Sequence, residues 1–260
     1  MNETSLKKAL SKINISGLRY FDSIGSTNDE ALAWAASGAK DFSLVIADEQ
    51  TRGRGRLHRT WHTPKGSALA VSLILRPDEI IKPHLSRTVG LMSVSITDAL
   101  LTMGLALKIK WPNDVLINNK KIAGILVESV WSGSDVDSLV IGMGINVYKN
   151  SVPPDDSVKF PATSIEDELD KEPPAREEIL REILSAFVAW REKLASNELI
   201  KTWEERLAFR HWQVQITSGD EISQTGVLDG LEDDGSLRLS DDNSNPVIVR
   251  FGDVSLRPAA

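Results

Sequence analysis

The hydrophobic period changes at Trp212, and that change divides the chain into two differently built parts. Up to Phe209, apolar residues recur at three- and four-residue steps, between short continuous apolar runs, the pattern of helices alternating with buried strands. Beyond Trp212 the pattern becomes short alternating segments, Val214–Thr217, Gly226–Leu231, Ser236–Leu239 and Val247–Phe251, separated by Gly- and Asp-rich turns. Short strands with such turns predict a small β-barrel of about 50 residues. The expected organisation is therefore an α+β unit over residues 1–209 and a barrel over 210–260.

Within the larger unit, Ser26 to Gly38 reads as a helix, with Thr27 and Glu30 at capping-box spacing and Gly38 just past its end. Leu44–Ala47 and Ala68–Leu75 read as buried strands. Pro83 to Met103 reads as one long helix, on Leu85, Val89, Met92, Ile96 and Leu100, ended by Gly104. Leu105 to Lys110 reads as a strand stopped by Trp111-Pro112. Val115–Ile117 and Lys121–Val130 form a hairpin through the turn-prone pair Asn118-Asn119. Leu139 to Val147 reads as a strand interrupted by Gly142 and Gly144. Residues 150–174, with five prolines, read as a surface loop. Arg176 to Leu194 is an amphipathic helix, followed by a shorter one around Leu199–Phe209.

The 260 residues contain no cysteine, which excludes disulfides, thiolate metal sites and a cysteine nucleophile, and suits a cytoplasmic protein. The first residues lack the apolar core of a secretory signal. No apolar run reaches the roughly 20 residues that span a bilayer. A net charge of −7 argues against a chain built to coat nucleic acid. That charge is unevenly placed. Gln50 to Pro77 holds no Asp or Glu, yet carries Arg52, Arg54, Arg56, Arg59, Lys65 and Arg76. An acidic protein with one acid-free basic stretch is expected to use it locally, against an anion.

Three segments carry candidate chemistry. In Gly53-Arg54-Gly55-Arg56, the glycines allow close backbone approach to a ligand, and the arginines offer planar forks for carboxylate and phosphate. Taken alone, the motif is better explained as an exposed basic turn. Lys110-Trp111-Pro112-Asn113-Asp114 ends a strand with polar groups, and the following hairpin returns Lys121 and Gly124 beside it. Ser26-Thr27-Asn28, with Gln50, offers mixed donors and acceptors, although Ser26 or Thr27 alone also serves as a helix cap. No P-loop and no nucleophile elbow is present. His58 and His62 have a spacing compatible with a metal, but no acidic residue nearby in sequence would complete or orient such a site.

Taken in order, these segments resemble the biotin–protein ligase family, from about Tyr20 to Ser255-Leu256-Arg257 and including Gly142–Val147. The resemblance implies a catalytic domain like that of class II aminoacyl-tRNA synthetases, a mixed sheet flanked by helices, followed by an SH3-like barrel. It implies Mg-ATP-dependent formation of biotinoyl-AMP, then transfer to a lysine of a biotin carboxyl carrier domain. Ser26, Thr27, Asn28, Gln50, Arg54, Gly55, Arg56, Lys121 and Gly124 map onto biotin-binding positions. Arg54, Arg56, Arg59, Trp61, Lys121, Asn146 and Arg257 map onto the ATP and adenylate site. Arg56, Lys121, Lys110 and Asp114 map onto the catalytic set. Asp114 has two open readings: orienting the acceptor lysine or taking its proton, and holding magnesium.

Two departures matter. Many relatives continue the loop with a third glycine where this chain has His58, which is expected to stiffen the loop and alter its hold on the adenylate. Fewer than about 20 residues precede Tyr20, so no helix-turn-helix is expected, and with it no DNA binding or repressor role. Relatives often pair through the catalytic sheet, so a homodimer is possible. The rival readings are a lipoate–protein ligase, which lacks the Lys-Trp-Pro-Asn-Asp segment, and a non-catalytic nucleic-acid-binding module, which the acidic barrel opposes.

Overall fold

The computed structural model describes residues 1–154, 160–218, 221–250 and 254–259. Phe251, the expected end of one barrel strand, lies outside the described residues. The first part is a seven-stranded mixed sheet in the order β1-β2-β3-β7-β6-β5-β4. Its strands are β1 (Gly17–Phe21), β2 (Ser43–Ala47), β3 (Ala68–Leu75), β4 (Lys108–Lys110), β5 (Asp114–Ile117), β6 (Lys120–Ser132) and β7 (Asp135–Asn146). Only β1 and β2 run parallel; the other neighbours are antiparallel.

Strand alternation explains why both faces are covered. Val45, Ile74 and Val140 face a small cluster with Ala31 and Ala35 of α2 (Thr27–Ala36). Leu44, Ile46, Leu73 and Ile141 belong to the main core, shared with α3 (Thr88–Leu101), α5 (Arg176–Arg191) and α6 (Asn197–Glu205). The small helix α1 (Glu3–Ala9) packs on α5, and α4 (Ile165–Glu168) sits beyond β7. The ion pair of Arg176 with Asp48, 2.6 Å and buried, fixes the end of β2 just ahead of Gln50.

Several expectations need correction. The long helix over Pro83–Met103 divides: Lys82–Arg87 is a 3-10 turn with a break at His84, and α3 starts only at Thr88. The strand expected over Leu105–Lys110 shrinks to β4. β7 is not interrupted at Gly142 or Gly144; both pair regularly with β3 and β6. The segment read as a surface loop contains α4, and its Lys121–Ala162 bridge docks it against β6. The hairpin turn holds: Asn118 and Asn119 both have positive φ, as a two-residue I′ connection requires.

The second part is a five-stranded antiparallel sheet, β11-β10-β9-β8-β12. Its strands are β8 (Gln213–Ser218), β9 (Glu221–Leu231), β10 (Leu237–Ser240), β11 (Pro246–Val249) and β12 (Val254–Pro258). It is tied to the first part by buried donors on backbone carbonyls. Trp111 Nε1 donates to Gly235 O at 3.0 Å and Arg87 Nε to Asp233 O at 2.6 Å, while Arg87 Nη1 donates to the carbonyls of Leu194 and Ser196 within the first part. No described helix is long and apolar enough to cross a membrane.

Candidate active site

A cleft of about 430 Å³ opens over the β6–β7 pair, within the range of small-molecule sites. Its floor is made by glycine. Gly124 and Gly144 are cross-strand partners, and Gly142 lies on the same face two residues along β7. A Cβ at Gly144 would collide with the Trp61 indole, and one at Gly142 with the Asn28 amide. The glycines read as strand interruptions thus clear one face of an intact strand for approaching side chains.

One wall is the start of α2. Ser26 Oγ accepts from Asp29 N as the N-cap. Thr27 donates its backbone N–H to Gln50 Oε1 at 2.8 Å, with its hydroxyl 3.1 Å from the same oxygen. Asn28 is held by Ser72 Oγ on its Oδ1 at 2.6 Å and by the carbonyl of Leu126. The wall is therefore neutral, rich in donors and acceptors, and fixed from behind.

The basic loop forms the cover. Trp61 N donates to Gly53 O, Gly55 N to Arg59 O and Arg59 N to Arg56 O, so residues 53–61 fold back as a narrow hairpin. Its tip residues, Leu57 and His58, both have φ of 57°. A two-residue turn with positive φ at both central positions favours Asn and Gly. His58, expected to stiffen this loop, stands in a left-handed conformation that residues other than Gly adopt at a cost. Arg54 pairs with Glu128 and Asp29, while Arg56 Nη1 donates to Asn113 Oδ1 at 3.2 Å.

The far end of the cleft is charged. Asp114 places Oδ1 2.5 Å from Lys121 Nζ and Oδ2 3.2 Å from Lys110 Nζ. Burial opposes ionisation of Asp114, but Lys121 and Lys110 outweigh it and hold the carboxyl well below the usual range. Burial pushes the Lys110 ammonium down to about 8 against the pull of Asp114, helped by Arg257 and Lys121. Arg257, brought in by β12, and Lys110 both lie over the Phe160 ring, at 5.6 and 4.9 Å from its centroid. Burial and the nearby Arg59 lower the Arg257 pKa. Lys121 Nζ is 5.3 Å from the Trp61 ring.

Most of the residues singled out from the sequence line this cleft: Ser26 to Asn28 and Gln50 on the wall, Arg54, Gly55, Arg56, Arg59 and Trp61 in the cover, and Lys110, Asp114, Lys121, Gly124, Asn146 and Arg257 around the rest, whereas Gly53 and His58 are not part of the lining. Asn146 is tied by its Nδ2 to Thr163 O. Both oxygens of Asp114 are engaged by lysines, so a magnesium role for it would require Lys121 or Lys110 to give way. Residues 20–146 match the model of the Biotin/lipoate A/B protein ligase family. A biotin--[acetyl-CoA-carboxylase] ligase of Paracoccus denitrificans is 36% identical over 225 residues, covering 82% of this chain and 90% of that protein. The chain belongs to the biotin–protein ligase family.

A bifunctional ligase/repressor of Bacillus spizizenii is 43% identical over 150 residues, 57% of this chain; the match spans 46% of that protein's length. A biotin protein ligase from Aquifex aeolicus, solved in complex with biotin and ATP, superposes with a TM-score of 0.79 at 27% identity, covering 94% of this chain and 100% of that one. The shared fold is that of a biotin protein ligase, a mixed sheet with helices and a second antiparallel sheet. Sequence reading assigned no site role to Gly142, Gly144, Phe160 or Ala162, which also line the cleft. A Gly-x-Gly inside a strand was the available signal for the first two. Nothing local marked Phe160, because the docking of its segment on β6 is a tertiary contact.

Proposed function

We propose that the protein is an ATP-dependent biotin–protein ligase that activates biotin as biotinoyl-5'-AMP and transfers it to a lysine of a biotin carboxyl carrier domain. The observation that carries this reading is the polarity of the cleft. One end offers neutral donors and acceptors, suited to a ureido ring with one carbonyl and two N–H groups. The other gathers Lys110, Lys121, Arg59 and Arg257, suited to a carboxylate meeting a triphosphate. Trp61 Nε1 is buried beside this cleft with no hydrogen-bond partner among the described residues, a donor that a ligand oxygen would satisfy.

Biotin's carboxylate is ionised at neutral pH, so the first step needs no base. Its oxygen attacks the α-phosphorus, the bond to the bridging oxygen breaks, and pyrophosphate leaves. The barrier is the approach of two anions, which fixed cations lower. In the second step a neutral lysine amine attacks the acyl carbon, the C–O bond to phosphate breaks, and AMP leaves, with the amine's proton passing to a phosphate oxygen of AMP or to water. Asp114, held ionised by two lysines, is a weak base. We assign it to positioning Lys110 and Lys121 and to orienting the incoming amine. Magnesium that accompanies ATP would take most of its oxygen ligands from the phosphates, with at most one or two from the protein.

The same proposal includes a boundary near residue 209, a class II synthetase-like first domain, an SH3-like barrel, and a cytoplasmic protein able to pair as a homodimer. It includes no DNA binding, supported by the net charge of −7. Pyrophosphate release with Mg-ATP is expected on adding biotin and not on adding lipoate. No release with biotin would sink the proposal.

A further inference from the structure

Glu128 lies on β6, outside the cleft lining, yet it joins two of its parts. Its Oε1 accepts from Arg54 Nη1 at 3.0 Å and its Oε2 from Arg54 Nη2 at 2.8 Å, a two-pronged pair with the cover loop. Oε2 also accepts from Asn28 Nδ2 at 2.8 Å. Ser72 Oγ donates to Asn28 Oδ1 and lies 2.8 Å from the Thr27 hydroxyl, the Thr27 N–H donates to Gln50 Oε1, and Gln50 Nε2 donates to Thr63 Oγ1. One unbroken polar chain therefore runs from the cover loop, through Glu128, across the wall and back to the base of the same loop. Asn28 is 4% exposed and Ser72 fully buried, so the middle of this chain cannot exchange its partners for water.

The donor order gives the chain a direction. Asn28 must point its amide nitrogen at Glu128, because a carboxylate only accepts. That leaves the Asn28 oxygen for Ser72, and it fixes the amide orientation presented to the cleft. Arg54 depends on the same carboxylate: its hydrogen bond to Glu128 is the largest influence raising its pKa. Asp29, the second partner of Arg54, pairs with Nη2 at 2.7 Å.

We propose that Glu128 is a positioning residue, which couples closure of the 52–61 loop to the orientation of Asn28 in the wall. This rests on the ligase reading, and it goes beyond it by making loop order and wall order one event. Glu128→Gln retains an acceptor of similar shape but loses the ion pair, and Glu128→Asp retains the charge on a shorter arm.

The test uses the full chain and biotin alone, then biotin with Mg-ATP. Tryptic cleavage at Arg52 to Arg59 should slow when biotin is added to the wild type, and this protection should be lost in Glu128→Gln and partly restored in Glu128→Asp. The biotin KM for pyrophosphate release should rise on the order of tenfold in Glu128→Gln, with kcat changed by less than about threefold. Because the pair is part-exposed, added salt should weaken protection in the wild type but not in the variant. In a double-mutant cycle, Glu128→Gln should add little to Arg54→Met. Wild-type KM and protection in Glu128→Gln, or additive effects with Arg54→Met, would overturn the coupling. A loss of thermal stability with KM unchanged would assign Glu128 to the fold alone and overturn it too. Absence of pyrophosphate release in the wild type would instead overturn the ligase reading.

Discussion

Asp114 reaches Lys121 with one carboxylate oxygen and Lys110 with the other, at 2.5 and 3.2 Å, so one buried acid fixes the cationic end of the cleft. The arrangement follows from the β4–β5 turn. Lys110 and Asp114 are register partners, and Lys121 returns on β6 beside them. Asp114→Asn should leave two ammonium groups without their counter-charge. Breaking a buried pair of this kind costs about 3–5 kcal/mol, reduced here as Lys110 releases its proton. Transfer to the acceptor should fall more than pyrophosphate release; equal losses in the two steps would argue against an orienting role.

The Lys110 pKa of about 8 sets a pH dependence. As pH rises through about 8, free enzyme loses this positive charge, so kcat/KM for ATP should fall there, and Lys110→Met should show a lower, flatter profile. Folding stability should move the other way. The folded-state pKa lies below the ordinary 10.5, so between the two values the unfolded chain binds more protons and stability rises with pH. Denaturant midpoints from pH 7 to 10, for both proteins, check the sign.

Gly144→Ala should preserve the sheet, since β7 pairs regularly at this position, but displace the Trp61 ring from the floor. Overpacking of this kind costs about 1–3 kcal/mol. The biotin KM should rise about tenfold or more, with a shift in Trp fluorescence. A wild-type KM would show that the floor tolerates a methyl group.

The loop tip offers a gain. With φ of 57° at both Leu57 and His58, each side chain opposes the turn, and a left-handed residue other than Gly costs about 1–2 kcal/mol. Leu57→Asn with His58→Gly should favour the closed hairpin and slow loss of preformed adenylate severalfold. Faster loss would show that the strained tip is not what limits closure.

Legibility in the sequence followed the range of the forces involved. The Asn118-Asn119 turn was readable because its cause is local. The cap of α2 falls instead on Ser26 and not on the Thr27–Glu30 pair that the spacing suggests, because Thr27 is committed to Gln50 and Ser72. The division of Pro83–Met103 was not readable, because Arg87 is committed to the carbonyls of Asp233, Leu194 and Ser196, far along the chain. Phe160 was read as part of a surface loop for the same reason: its segment is docked by the Lys121–Ala162 bridge.

The sequence by itself determined the kinds of groups the site would hold. An acid-free run around Gly53–Arg56, the Lys110–Asp114 turn and the Ser26–Asn28 helix start specify chemistry through residue type and short spacing. Only the tertiary structure decided their relations. It joined Asp114 to both lysines, set Trp61 on Gly124 and Gly144, and linked Arg54 to Asn28 through Glu128. These depend on sheet order and on register across β6 and β7, which packing of both faces fixes and no local pattern encodes.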